Sequence, residues 1–98
     1  MIALTAIIRV KQGHEATVRQ ALVEVVEHVR ANEPDTLAYF AGQDPNDRCV
    51  LTTYERYTDQ AALDAHNSSA AVAAFFEVAK PLLDGDPIVQ VTEEIAVK

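Results

Sequence analysis

Between Thr53 and His66 the chain gathers an acid, phenols and an imidazole, in the order Thr53-Tyr54-Glu55-Arg56-Tyr57-Thr58-Asp59-Gln60-Ala61-Ala62-Leu63-Asp64-Ala65-His66. If the first part is a strand, alternation turns Thr53, Glu55 and Tyr57 to one face. If the second part is a short helix, His66 lies above Ala62 and Leu63 on its apolar side and turns inward. A carboxylate, a phenol and an imidazole would then line one cavity between sheet and helix. Such a set moves protons on a small substrate, because imidazole titrates near neutrality and a nearby carboxylate holds its tautomer. The same residues also admit a purely structural role. An inward histidine is more often a hydrogen-bonded core residue. Glu55 would then satisfy a backbone group or cap a helix, and Tyr57 would be core with its hydroxyl at the rim.

Around this stretch, Tyr39 and Phe40 read first as packing, with Tyr39 the better site candidate because its hydroxyl extends toward a ligand. Phe75 and Phe76 read as core or as an apolar pocket wall. His14 falls at the start of a helix and His28 on its flank. Three histidines far apart, with no His-x-x-x-His spacing, give little ground for a metal site. With only three glycines, the chain has no phosphate loop, dinucleotide fingerprint or nucleophile elbow, so no cofactor is expected. The single cysteine, Cys49, excludes an internal disulfide and reads as core filler in an apolar strand.

The elements that position these residues follow from periodicity. Residues 2–10 are rich in β-branched types and read as a first strand. A helix follows over 14–32, with Val18, Leu22, Val25, Val26 and Val29 on one stripe and Glu24, Glu27 and Arg30 on the wet side. Pro34 ends it. A second strand spans Thr36–Gln43, the turn Asp44-Pro45-Asn46-Asp47 follows, and a third strand runs from Arg48 to Tyr57. Asp59 caps a short helix through His66. A further helix carries Val72, Phe75, Phe76 and Ala79 and breaks near Pro81, and Ile88–Val97 reads as the last strand.

This order, β-α-β-β-α-β, is the split arrangement of the ferredoxin-like α+β fold, with one four-stranded antiparallel sheet and helices on a single face. A lone subunit of that kind needs strands with one apolar and one polar face. Here Ile2, Leu4, Ala6, Ile8 and Val10 point one way, and Ala3, Thr5 and Ile7 the other. Both faces are largely apolar. The sheet of a second copy is the simplest cover, so a homodimer, able to pair further, is expected.

At 98 residues a single domain over 1–98 is expected, and a hydrophobic fraction of 49% argues against disorder. The net charge of −7, from 15 acids against 8 bases, repels phosphate backbones and anionic lipid, so neither nucleic acid nor a membrane surface is an expected partner. The N-terminal apolar run is too short to span a membrane, lacks a basic leader and contains Arg9. A cytoplasmic location is expected.

The chain resembles the antibiotic biosynthesis monooxygenase domain over nearly its whole length. Glu33-Pro34 matches the family's Glu-Pro after the first helix, Tyr39 its aromatic position in the next strand, and Gln43-Asp44-Pro45 its turn. Its strongest motif is matched by Tyr54-Glu55-Arg56-Tyr57-Thr58-Asp59 followed by Ala62 and His66. The family includes quinol monooxygenases and a group acting on the phosphorylated signal autoinducer-2. The resemblance implies a dimeric α+β barrel whose oxygenases use no metal, flavin or haem and let a deprotonated quinol or phenol reduce O₂ directly. It implies His66 as base or proton relay, Glu55 as its orienting partner, and Tyr57 as a wall or a donor to the substrate oxygen, with Tyr39, Thr53, Phe75 and Phe76 around the substrate. Departures from the family pattern are Asp35 where glycine is usual, Tyr57 where oxygenases often carry tryptophan, Ala71 where the autoinducer-2 group has a second histidine, and Thr53 where a polyketide-oxidising branch has asparagine. The leading expectation is a cofactor-independent monooxygenase of a small quinol or hydroxylated aromatic. An isomerase of a phosphorylated autoinducer-2-like molecule and a non-catalytic ligand-binding dimer are the alternatives.

Overall fold

A computed structural model describes residues 1–98. The elements are β1 (Ile2–Arg9), α1 (Glu15–Asn32), β2 (Thr36–Gln43), β3 (Val50–Tyr57), α2 (Gln60–Asn67), α3 (Ala70–Ala79) and β4 (Ile88–Glu93), with a 3₁₀ turn at Lys80–Leu82 before β4. The sheet order is β2-β3-β1-β4, with every neighbouring pair antiparallel. The helices cover one side. This is the ferredoxin-like arrangement expected from the pattern, with its second crossover divided into α2 and α3. No helix is long and apolar enough to cross a membrane.

Local chemistry sets the boundaries. Asp59 accepts a hydrogen bond from the Ala62 N–H and Ser69 one from the Val72 N–H, capping α2 and α3. The last strand stops at Glu93 rather than Val97. Its only partner is β1, and Ile2, the first residue of that strand, lies opposite Glu93, leaving the tail no ladder to join. The third strand starts at Val50 rather than Arg48. Asp47 accepts from the Cys49 and Val50 N–H groups, closing a turn that takes Arg48 and Cys49 out of the ladder. Cys49 is thus half-buried in a turn, its thiol directed at Glu15, and not in strand core. Val10 leaves β1 but keeps a bridge to Leu83.

The α1 stripe of Val18, Leu22, Val25 and Val29 is buried, while Val26 at its edge is only half-buried. It packs on Ile8, Val10 and Leu51 of the sheet and on Phe75, Ala79 and Leu83. A smaller cluster of Leu4, Ala6, Tyr57 and Leu63 lies under α2. The reverse of the sheet has no cover. There Phe40 is 64% exposed and stacks on Tyr54 at 6.5 Å between ring centres, and Ile88 lies open at the β4 edge. The accessible surface is 6199 Å², against roughly 5,500 Å² expected for a closed monomer of this mass.

Candidate active site

Only three polar or charged residues in the protein are buried, namely Thr53, Glu55 and His66. They lie together. Strand alternation in β3 turns Leu51, Thr53, Glu55 and Tyr57 under the helices, so each successive inward residue comes nearer to α2. His66 sits in the last turn of α2, which ends when Ser68 and Ser69 fold back onto Asp64 and His66 carbonyls.

Glu55 accepts from the Thr53 hydroxyl at 2.7 Å and from the Tyr57 hydroxyl at 2.5 Å. Its Oε1 stands 3.8 Å from His66 Nε2, too far for a hydrogen bond. The carboxylate bonded to the imidazole is Glu33, whose Oε1 lies 2.8 Å from Nδ1. Glu33 also accepts from the Thr36 hydroxyl at 2.8 Å and faces His28 Nε2 at 3.3 Å. A neutral imidazole with its proton on Nδ1 donates to Glu33 and leaves the Nε2 lone pair on the Glu55 side. No occluded side-chain nitrogen or oxygen lacks a partner, so Nε2, which has none, is not sealed off. Burial, and then the charge of Glu55, push the Tyr39 hydroxyl far above its ordinary range; burial, and then the bond to Glu55, do the same for Tyr57. Both phenols stay neutral, and Tyr57 donates to Glu55. The imidazole lies between their rings, with centre separations of 5.4 Å to Tyr39 and 5.6 Å to Tyr57.

Beside this group is a cavity of about 170 Å³ with a mainly hydrophobic lining. Tyr39, Thr53, Glu55, His66, Phe75 and Phe76 are on its wall, joined by Leu4, Val72, Asn67 and Val89. No lysine or arginine lines it. Tyr57 is not on the wall. It is fully buried one rung beyond Glu55, against Leu63, and its hydroxyl is committed to the carboxylate, so it supports Glu55 instead of facing the cavity. No cluster of three or more His, Cys, Asp or Glu side chains is arranged to hold a metal ion.

The family resemblance implies Glu55 as the orienting partner of His66 and leaves Glu33 without a stated role. One local signal pointed to Glu33. An acid at the C-cap of a helix opposes the macrodipole and calls for a tertiary reason. That reason is His66, 33 residues away.

Residues 1–78 match the antibiotic biosynthesis monooxygenase family. The chain belongs to that family. It is similar to a solved antibiotic biosynthesis monooxygenase, with a TM-score of 0.90 and 25% identity over 98% of this chain and 100% of the other. It is also similar to PA3566 from Pseudomonas aeruginosa, with a TM-score of 0.88 and 25% identity over 97% of this chain and 94% of that one. Rv0793 from Mycobacterium tuberculosis, at 21% identity, shares the fold with a TM-score of 0.89 over 98% of this chain and 96% of its own. No curated protein matches the chain.

Proposed function

We propose that this family member is a cofactor-independent monooxygenase of a small, single-ring quinol or hydroxylated aromatic. The observation that carries the reading is a buried imidazole, oriented by a carboxylate at Nδ1, with Nε2 free beside an apolar cavity. Nε2 takes the proton of a substrate hydroxyl. The positive charge that arrives lies between Glu33 and Glu55 and at the C-terminal end of α2, where a cation is favoured. General-base catalysis of this kind contributes on the order of 10²–10⁴ in rate. The phenolate then reduces O₂: one oxygen atom joins a ring carbon, the other leaves as water, and all four electrons come from the substrate, as in quinol to hydroxyquinone. The apolar wall keeps water from the reactive oxygen adduct.

Size supports a single ring. A cavity of roughly 150 Å³ accepts one benzene, and this one measures about 170 Å³. Charge disfavours the phosphorylated substrate of the isomerase reading, because the wall carries Glu55 and no cationic side chain. Arg56, the nearest base in the motif, is bound to Glu94 at 2.7 Å. The test is oxygen uptake by the metal-stripped protein with methylhydroquinone and with a tricyclic phenol. Uptake above the autoxidation blank with the single ring, lost in His66→Ala, supports the reading. No uptake together with turnover or binding of a sugar phosphate contradicts it.

The working unit in this reading is a homodimer joined through the open sheet face, as the exposed Phe40, Tyr54 and Ile88 and the excess surface favour. Light scattering on the wild type is expected to give twice the chain mass of 10.7 kDa, and on Tyr54→Glu the single mass. A folded wild-type monomer at micromolar concentration would overturn it.

A further inference from the structure

His66 belongs to the walls of two cavities at once. One is the apolar cavity beside Nε2. The other is an outer cleft of about 220 Å³ that also touches His28, Glu33, Asp35 and Ser69. Glu33 lines the cleft and not the apolar cavity. Its side chain is 15% exposed, and beyond it that of His28 is 32% exposed. Between the apolar cavity, whose wall is mainly hydrophobic, and the outer cleft, the polar connection runs through the ring itself and then Glu33.

We infer that Glu33 is the positioning residue of His66 and the first proton acceptor beyond it, so that the substrate's proton reaches water through the outer cleft and not through the cavity mouth. The inference rests on the proposed role of His66 as base. In the forward direction the substrate O–H breaks as Nε2–H forms. Nδ1–H then passes to Glu33 Oε1, and the carboxyl loses its proton to water in the cleft. The ring is reset when the Nε2 proton moves to an oxygen of the departing product while Glu33, which has taken a proton back from water in the cleft, returns it to Nδ1. No electrons are exchanged in these steps. Glu33 accepts from the Thr36 hydroxyl, lies 2.8 Å from His66 Nδ1 and faces His28 Nε2 at 3.3 Å, so its carboxylate is held against the ring from the cleft side. The charged and titratable groups around the ring are Glu33 and His28 of α1 and its cap, Tyr39 of β2, and Glu55 and Tyr57 of β3.

The test pairs kinetics with nitrogen-15 NMR of His66 in the intact protein. Glu33→Gln is expected to lower kcat by about 100-fold with KM within twofold, since Glu33 does not line the cavity; Glu33→Asp recovers part of the loss. In the wild type the Nδ1 proton is seen and exchanges with water, and that exchange continues when 1,4-dimethoxybenzene, which has no ionisable hydroxyl, fills the cavity. In Glu33→Gln the Nδ1–H population falls. The NMR arm needs no turnover, so a protein without oxygenase activity but with these signals refutes the oxygenase reading alone. A Glu33→Gln variant with full kcat, an unchanged Nδ1 signal, or exchange halted by the filled cavity overturns the inference.

Discussion

The space between helices and sheet is filled differently at its two ends. Under α1 the core is a cluster of eleven buried apolar residues, with Val18 and Leu51 at 0% and 1% exposure; four of them, Ile8, Leu22, Val25 and Phe75, also reach the cavity wall. Under α2 only four apolar residues form the core, and the remaining volume holds the buried polar trio and reaches the cavity. The same strands serve both ends. Along β3, Leu51 belongs to the first region and Thr53 and Glu55 to the second, within one side of one strand. Stability is concentrated where packing is complete. Chemistry is possible where packing stops short and the buried imidazole keeps Nε2 unpaired beside a cavity.

Substitutions at each end should separate these properties. The largest effect is expected from Leu51→Ala, which removes a fully buried side chain and costs about 2–5 kcal/mol of stability in denaturant unfolding, with the remaining folded protein keeping its KM. A loss under 1 kcal/mol would mean that the α1 end is not the stabilising one. At the other end, Tyr57→Phe removes one donor to Glu55 and is expected to cost about 1–3 kcal/mol. The pH dependence sharpens the contrast. Because the folded-state pKa of Tyr57 is raised, its contribution is complete below the unfolded tyrosine value of about 10 and is lost as pH rises above it, by at most about 1.4 kcal/mol per pH unit. Unfolding free energies between pH 9 and 11.5 should fall less steeply in Tyr57→Phe than in the wild type, and an identical slope would show that the hydroxyl is not held neutral. Leu51→Ala should leave the slope unchanged.

How much of this was legible in the sequence depends on the distance each residue acts over. Thr53, Glu55 and Tyr57 share a face because strands alternate, and His66 turns inward because Asp59 starts a helix in which it follows Ala62 and Leu63 at helical spacing. These are local facts. The length of β4 is not local, because it is set by where β1 begins: composition extends the strand to Val97, whereas the ladder ends at Glu93. The bond between Glu33 and His66 depends on how the end of α1 meets the end of α2, which no periodicity encodes. Tyr57 was expected to face the substrate, but alternation gives the side of the sheet and not the depth along it, and the cavity stops one rung short.

The most direct measurement is product analysis after reaction of methylhydroquinone under ¹⁸O₂, with the wild type and His66→Ala side by side. The expected product is a hydroxyquinone carrying one labelled oxygen, with the second atom appearing as labelled water and formation at least about 100-fold slower in the variant. Product without label, or equal labelled product from both proteins, would contradict the assignment of oxygenase chemistry to this buried histidine.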